Sequence, residues 1–400
     1  MLRRSFLQSV ALGTGAIYCS PLEAATPNNE KSVISIHLQG GISAVDFINP
    51  IPDSTLEFRS SRGAVDAGDF QIGGDFTNIA TLGDNMTVVR SMKFRDANHQ
   101  TATMAHLTSH FHVPNNEQKE PSFGSLVANK YQPNDSRSGI PHYVKLANID
   151  GDDSSWLGIR YNGYDADDEG VKNMKLHSNV NARRFDTRLK MMSIIDDAGN
   201  LPGLGKDWTD LKSMAVNIIK GDAAEAFDLA QEPNSIYGTS RFGQDLLLSR
   251  RLVERGTKYV SLRSNAGWDM HSNIDAGFER SAPELDKGVY TLVTDLKQRG
   301  LLNNTIVVLW SEFSRTKINL NGGRDHNPNT NTLVFFSDQG KGVVGETSEN
   351  GLISIGDTYS PSDLAWTIGS HMGLEKSLTI KDNQARPRHI FKDDARDILA

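Results

Sequence analysis

The stretch from Phe278 to Trp310 constrains the fold more than any other. Within "FERSAPELDKGVYTLVTDLKQRG" the apolar residues Phe278, Ala282, Leu285, Val289, Leu292 and Leu296 are spaced 4, 3, 4, 3 and 4. That spacing lays one stripe along a helix, and Gly300 is placed to end it. "TIVVLW" (305–310) follows at once, a short β-branched run of the kind that forms a strand covered on both faces. The same logic recurs. "FGQDLLLSRRLVERG" (242–256) is a second amphipathic helix that feeds directly into "TKYVSLR" (257–263). "VISIHL" (33–38) stops at Gly40-Gly41, while "MTVVRSM" (86–92) and "TLVFF" (332–336) complete the set. Helices alternating with buried strands predict an α/β sheet with helices on both faces. With 38% hydrophobic residues in 400, the chain can bury one large core or two smaller ones. Residues 145–215 break the alternation. They are rich in Asp, Asn and Gly with one helix near 181–196, and read as an irregular cap over the sheet edge, within a single domain spanning 26–400.

The first 25 residues carry a different signal. Arg3-Arg4 precede the apolar run "VALGTGAIYCS" and then "PLEAA", as in a twin-arginine export leader removed at a small-residue site. The translocase of that pathway is therefore an expected partner, and the mature protein is expected in the periplasm or outside the cell. No later stretch approaches the ~18 uninterrupted apolar residues of a membrane span. Cys19, the one cysteine, lies in the leader, which removes disulfides, thiolate metal sites and cysteine nucleophiles from the mature chain. The net charge of −7 is spread through the chain without a basic stripe, which argues against nucleic acid. The acidic run "DADDE" (165–169) reads as a solvated loop.

Three polar clusters fall where ligands gather in open α/β sheets, beyond the carboxyl ends of strands. "VSLRSNAGWDMH" leads from a strand into Asp269 and His271, which point the same way if the segment is extended. "IVVLWSEFSRT" ends a strand at Glu312, with Arg315 three residues on. "GGRDHNP" sets Asp325 and His326 in a glycine-initiated loop. Singly, a strand-end Asp is an ordinary cap and a lone His an ordinary structural residue. In succession they offer three carboxylates and two imidazoles, suited to a divalent ion. Zinc ranks first, ahead of manganese, calcium and magnesium. Arg315 or Arg324 would clamp an anion beside it.

A fourth cluster, "NHQTATMAHLTSHFH" (98–112), reads as a helix with His99, His106 and His110 on one stripe. His106 and His110 have the i, i+4 spacing of a zinc pair, but read first as packing against the sheet. His99 would sit at the helix N-terminus, which favours an anion. It is a candidate phosphoryl acceptor, general acid or anion ligand, with the Thr101 hydroxyl as the alternative.

Taken in order, these motifs resemble a family of exported bacterial proteins within the alkaline phosphatase/sulfatase superfamily. The shared features are the strand before Gly-Gly, "RSM" ahead of a histidine-led helix ending "LTSH", "RFGQDLLLSRRLVERG", "GWDMH", "LWSEFSRT", "GGRDHNP" and "SPSDLAWTIGSHMGL". They span most of residues 33–390. The resemblance implies an alkaline phosphatase-like α/β/α sandwich with an inserted cap. It also implies that Asp269 and His271 form the superfamily's Asp…His metal motif, with Glu312 and His326 as later ligands and Asp325 as ligand or support. His99 would fall at the nucleophile's place. The departures are specific. Ala44 replaces a histidine while Asp46 remains, Asn327 replaces a tryptophan, and "HLQGG" stands where the superfamily's first metal-binding Asp would be. A second metal would then be absent or held differently. No Cys/Ser-x-Pro-x-Arg signature occurs, which excludes a formylglycine sulfatase.

Three functions follow as expectations. The first is a metal-dependent hydrolase of phosphate or sulfate esters, acting on a small anionic ester or a sulfated or phosphorylated glycan. The second is a non-catalytic binding or envelope-assembly protein that keeps the fold. The third is a phosphomutase or phosphotransferase.

Overall fold

In each central strand, successive side chains leave on opposite sides and enter two separate cores. The strands are β1 (Ser32–His37), β2 (Met86–Val89), β3 (Tyr143–Lys145), β4 (Tyr164–Asp165), β5 (Tyr259–Arg263) and β6 (Thr305–Trp310). From β1, Ile34 and Ile36 join one core and Val33 the other; from β6, Val307 and Leu309 join the first, and Ile306, Val308 and Trp310 the second. This is why the strands read as continuous apolar runs and not as alternating ones. The computed structural model describes residues 30–111, 120–131, 139–166, 179–199, 206–220, 223–232 and 236–400. The expected leader and most of the acidic run at 165–169 lie outside them.

Two further strands, β7 (Ser314–Ile318) and β8 (Arg324–Asn327), pair antiparallel as a hairpin of their own. The chain then re-enters the sheet as β9 (Leu333–Phe336) and ends it with β10 (Gly342–Val344). The eight-stranded sheet has the order β10-β2-β9-β6-β1-β5-β3-β4. Its pairings are parallel except that β9 runs antiparallel to both β2 and β6.

Helices cover both faces. On one side lie α1 (His99–Thr108), α2 (Phe123–Tyr131) and, later in the chain, residues 361–371; Leu107, Leu126, Val127 and Ile368 enter that core. On the other lie α3 (Arg241–Glu254) and α4 (Ile274–Gln298), each bringing its apolar stripe. All six stripe positions of α4 are at most 1% exposed. The α/β/α layering expected from the sequence is therefore present. The 145–215 region holds helices at 182–199 and 206–220, of which only the first was expected, and its strand β4 joins the sheet edge. A two-residue strand is too short to carry a period, so the sequence gives no sign of it. No helix among the described residues is long and apolar enough to cross a membrane.

This topology sets up the site. Parallel strands β1, β2, β5 and β6 all end at one edge, and the segments leaving them carry His37, His99, Asp269 and Glu312 in turn. The hairpin β7–β8 departs from the end of β6, so it hangs over the same edge.

Candidate metal centre

Three imidazoles and one carboxylate meet at that edge. His99 is the first residue of α1, whose N-cap is Asn98; the Asn98 side chain accepts from the Thr101 backbone N–H. Its Nδ1 lies 2.6 Å from Glu312 Oε1. His271 Nδ1 lies 2.8 Å from Asp325 Oδ1, and His326 Nδ1 lies 2.8 Å from the Ala97 carbonyl oxygen. Each of these oxygens is an acceptor, so each Nδ1 carries the proton. In the neutral rings every Nε2 carries a lone pair, and that of His271 is approached by the Arg315 Nη1–H at 3.5 Å.

Those three Nε2 atoms face Asp269. Its Oδ1 is 2.9 Å from His271 Nε2 and 3.2 Å from His326 Nε2, and its Oδ2 is 3.5 Å from His99 Nε2. His271 Nε2 and His326 Nε2 are themselves 3.1 Å apart. His99, Asp269 and His326 have ligand atoms mutually within 4.8 Å, and His99 Nε2 is buried without a hydrogen-bond partner. Two lone pairs at 3.1 Å repel unless a cation or proton lies between them. Ligands ~2.0–2.1 Å from a tetrahedral zinc would stand roughly 3.3 Å from one another, close to the spacings seen. The donor set therefore fits a divalent cation. Each imidazole also has an acceptor behind it, the arrangement that fixes the tautomer of a metal-binding histidine.

The surrounding groups hold this set in place. Glu312 is fully buried and receives the His37 Nε2–H at 3.0 Å, the Gly40 backbone N–H at 2.8 Å and the His99 ring. Burial pushes its carboxyl up, but the hydrogen bonds from His37 and His99 outweigh that and hold it well below the usual range. The same Glu312 bond is the main reason the His99 pKa is raised. Asp269 follows the pattern of Glu312: burial raises it, and the Arg315 guanidinium at 2.5 Å more than reverses the shift. For the more exposed Asp325, the His271 hydrogen bond lowers the pKa.

Gly40 has φ +101°, and a Cβ there would sit 2.6 Å from the Asp269 nitrogen. Only glycine lets the β1 loop pass this close while donating to Glu312.

Several sequence expectations are altered by this geometry. Glu312 stands behind His99 as its partner and, like His271, lies outside the group of mutually close ligand atoms; unlike Glu312, His271 turns its Nε2 to Asp269 and His326. Asp325 likewise supports His271. Asp325 and His326 lie on a strand of the hairpin, not in a loop. Thr101 is buried with its hydroxyl turned to Asp96, so it engages no member of the cluster.

The arginines are committed internally. Arg315 donates to the Gly40, Gly41 and Arg324 carbonyls as well as to Asp269. Arg324 pairs with buried Asp46 at 2.8 Å and donates to the Thr316 and Arg59 carbonyls. Neither is left free to clamp an anion, because both are only 0–1% exposed. His106 packs inside: Nδ1 donates to the Ala102 carbonyl, Nε2 accepts from Asn331, and its ring stacks on Trp310. His110 accepts or donates locally within its own turn and stays apart from the cluster.

His37 is the functional residue that sequence reading missed. It stacks on Trp310 at 4.2 Å and holds Glu312 from behind. The available signal was a polar imidazole closing an otherwise apolar strand at the edge where the other clusters end.

A family model described as "Protein of unknown function (DUF1501)" matches residues 30–400. No curated protein matches the chain. Among solved structures, it is similar to PsFucS1 sulfatase from Pseudoalteromonas sp., at 12% identity and TM-score 0.42, covering 93% of this chain and 72% of that one. It is also similar to the lipoteichoic acid synthase LtaP from Listeria monocytogenes, at 10% identity and TM-score 0.40, covering 96% and 79%. A third likeness is to a TAB5 alkaline phosphatase mutant with Mg bound in its M3 site, at 9% identity and TM-score 0.40, covering 86% and 98%. At such identities no side-chain correspondence follows.

Proposed function

Because the chain belongs to the DUF1501 family, whose description assigns no activity, its function rests on its own site, and we propose that it is an exported, metal-dependent hydrolase of phosphate or sulfate esters. The observation that carries this reading is the convergence of three Nε2 atoms on the Asp269 carboxylate, each imidazole braced from behind by its own acceptor. His99, His271, His326 and Asp269 would hold the ion. A divalent ion so held supplies Lewis acidity toward an ester oxygen and lowers the pKa of water.

The chain's own residues do the rest. Glu312, held by His37 and the Gly40 N–H, keeps the His99 proton on Nδ1. Asp325 does the same for His271, and Arg315 fixes the Asp269 oxygen that His271 and His326 share. Asp269 and His271 are each about half exposed, at 46% of their side-chain surface, so the centre is open to a substrate from solvent. The Thr101 hydroxyl, the side-chain nucleophile expected from the sequence, is turned to Asp96, which favours attack by water over a covalent intermediate on it. It also disfavours the phosphotransferase alternative.

The test is metal analysis of the purified mature protein together with turnover of aryl phosphates and sulfates. We expect about one tightly held divalent ion per chain and turnover that chelation removes and zinc or manganese restores. A bound ion without turnover of either ester class would move the assignment to a non-catalytic binding protein. Absence of any bound ion would remove the metal reading.

A further inference from the structure

A second cleft, lined by segments that lead directly to the candidate metal centre, is not used by the proposed reaction. It has a volume of about 540 Å³, within the range of small-ligand sites, and its lining includes Lys93, Arg95, Phe111, Thr358, Tyr359 and Lys392. Three cations line it and no carboxylate does, on a chain whose net charge is −7. Lys93 and Lys392 are exposed, and neither side chain has an ion-pair partner among the described residues. Arg95 lies over the Phe111 ring at 3.6 Å, and the Tyr359 ring is held by Arg396 at 4.4 Å.

The chain ties this cleft closely to the cluster. Asn329, also in its wall, follows His326 by three residues, and Arg95 precedes His99 by four. At ~3.6 Å per residue at full extension, those separations cannot exceed roughly 11 and 14 Å. The backbone N–H of Phe94 donates to the Pro328 carbonyl, which pins the two segments together.

We infer that this cleft is a subsite for a second anionic group, so that the substrate is a sulfated or phosphorylated saccharide longer than one residue. This rests on the ester-hydrolase reading for the first anion. Lys93, Arg95 and Lys392 recognise the distal sulfate or phosphate, the Thr358 hydroxyl and Asn329 amide meet sugar hydroxyls, and the aromatic rings supply flat apolar surface. A monoanionic aryl ester fills only the metal centre. A saccharide bearing anions on more than one residue could engage both.

Calorimetric titration of the mature protein tests this with three probes: a heparin-derived tetrasaccharide, mannopentaose phosphate and uncharged maltotetraose. Binding of at least one charged probe tenfold or more above maltotetraose is expected, weakening as salt screens the charges. The Lys93→Ala/Lys392→Ala variant should lose about tenfold of that affinity, equal to ~1.4 kcal/mol, while turnover of small aryl esters stays unchanged. Whichever charged probe binds tighter identifies the group recognised. Equal affinity in variant and wild type, or no preference over maltotetraose, overturns the inference. The two readings fail separately: charge-dependent binding without ester turnover keeps the subsite and removes the hydrolase, and turnover without saccharide binding does the reverse.

Discussion

Asp325 stands one residue removed from the ion it would serve, across the His271 ring whose Nδ1–H it accepts at 2.8 Å. Removing such a supporting carboxylate characteristically costs ~10–100-fold in metal affinity. Asp325→Ala should therefore weaken zinc retention by about that factor in competition with a chromophoric chelator. Its side chain is 56% exposed, so the thermal midpoint should barely move. An unchanged affinity would mean that Asp325 is an ordinary surface acid. At this scale the sequence showed which residues gather, because Asp269 with His271 and Asp325 with His326 come as close pairs near strand ends. It did not show their division of labour. Whether Asp325 or His326 turns inward depends on the pairing of His326 with Arg315 across the hairpin. The part played by His37 depends on Glu312, which is 275 residues away.

The hairpin β7–β8 is the element that closes the site, and it does so by backbone contact. A Cβ on Gly323 would come within 2.1 Å of the His271 carbonyl carbon, whereas one on Gly267 would meet nothing within 4 Å. Gly323→Ala must push the hairpin off the segment carrying Asp269 and His271, at a cost on the order of 1–3 kcal/mol typical of overpacking. We expect this variant to lose metal binding while Gly267→Ala, in the same segment, retains it; equal binding in both would show that the hairpin does not position the ligands. The central strands and the helix α4 were legible because each buries a periodic apolar set. The hairpin was not, since "SRTKI" and "RDHN" carry little apolar residue to alternate and their burial serves polar contacts around the site.

For the whole molecule, burial of neutral His106 and His371 should make stability fall in acid. His106, 1% exposed, is lowered to about 4 by burial, and His371 likewise to about 4. Their unfolded values lie near 6.5. Folded pKa values below unfolded ones mean that the stabilisation is complete above about pH 6.5 and is lost as pH falls toward 4. For His106 the full effect is at most on the order of 3 kcal/mol. The thermal midpoint should fall across that window, and His106→Gln with His371→Gln should flatten the fall; an equally steep fall in the double variant would place the acid sensitivity elsewhere. The assembled centre has one further consequence, which concerns timing. Its groups come from residues 37–40, 97–99, 269–271 and 312–326, so the first is synthesised nearly 290 positions before the last. No chain that stops short of His326 can present the full donor set, and occupancy by an ion would certify that the fold around the site is assembled. If the chain crosses a membrane already folded, as the twin-arginine leader expected from its sequence would require, it would carry out the metal chosen inside. The cytoplasm's supply, not the ions outside, would decide which metal the protein works with.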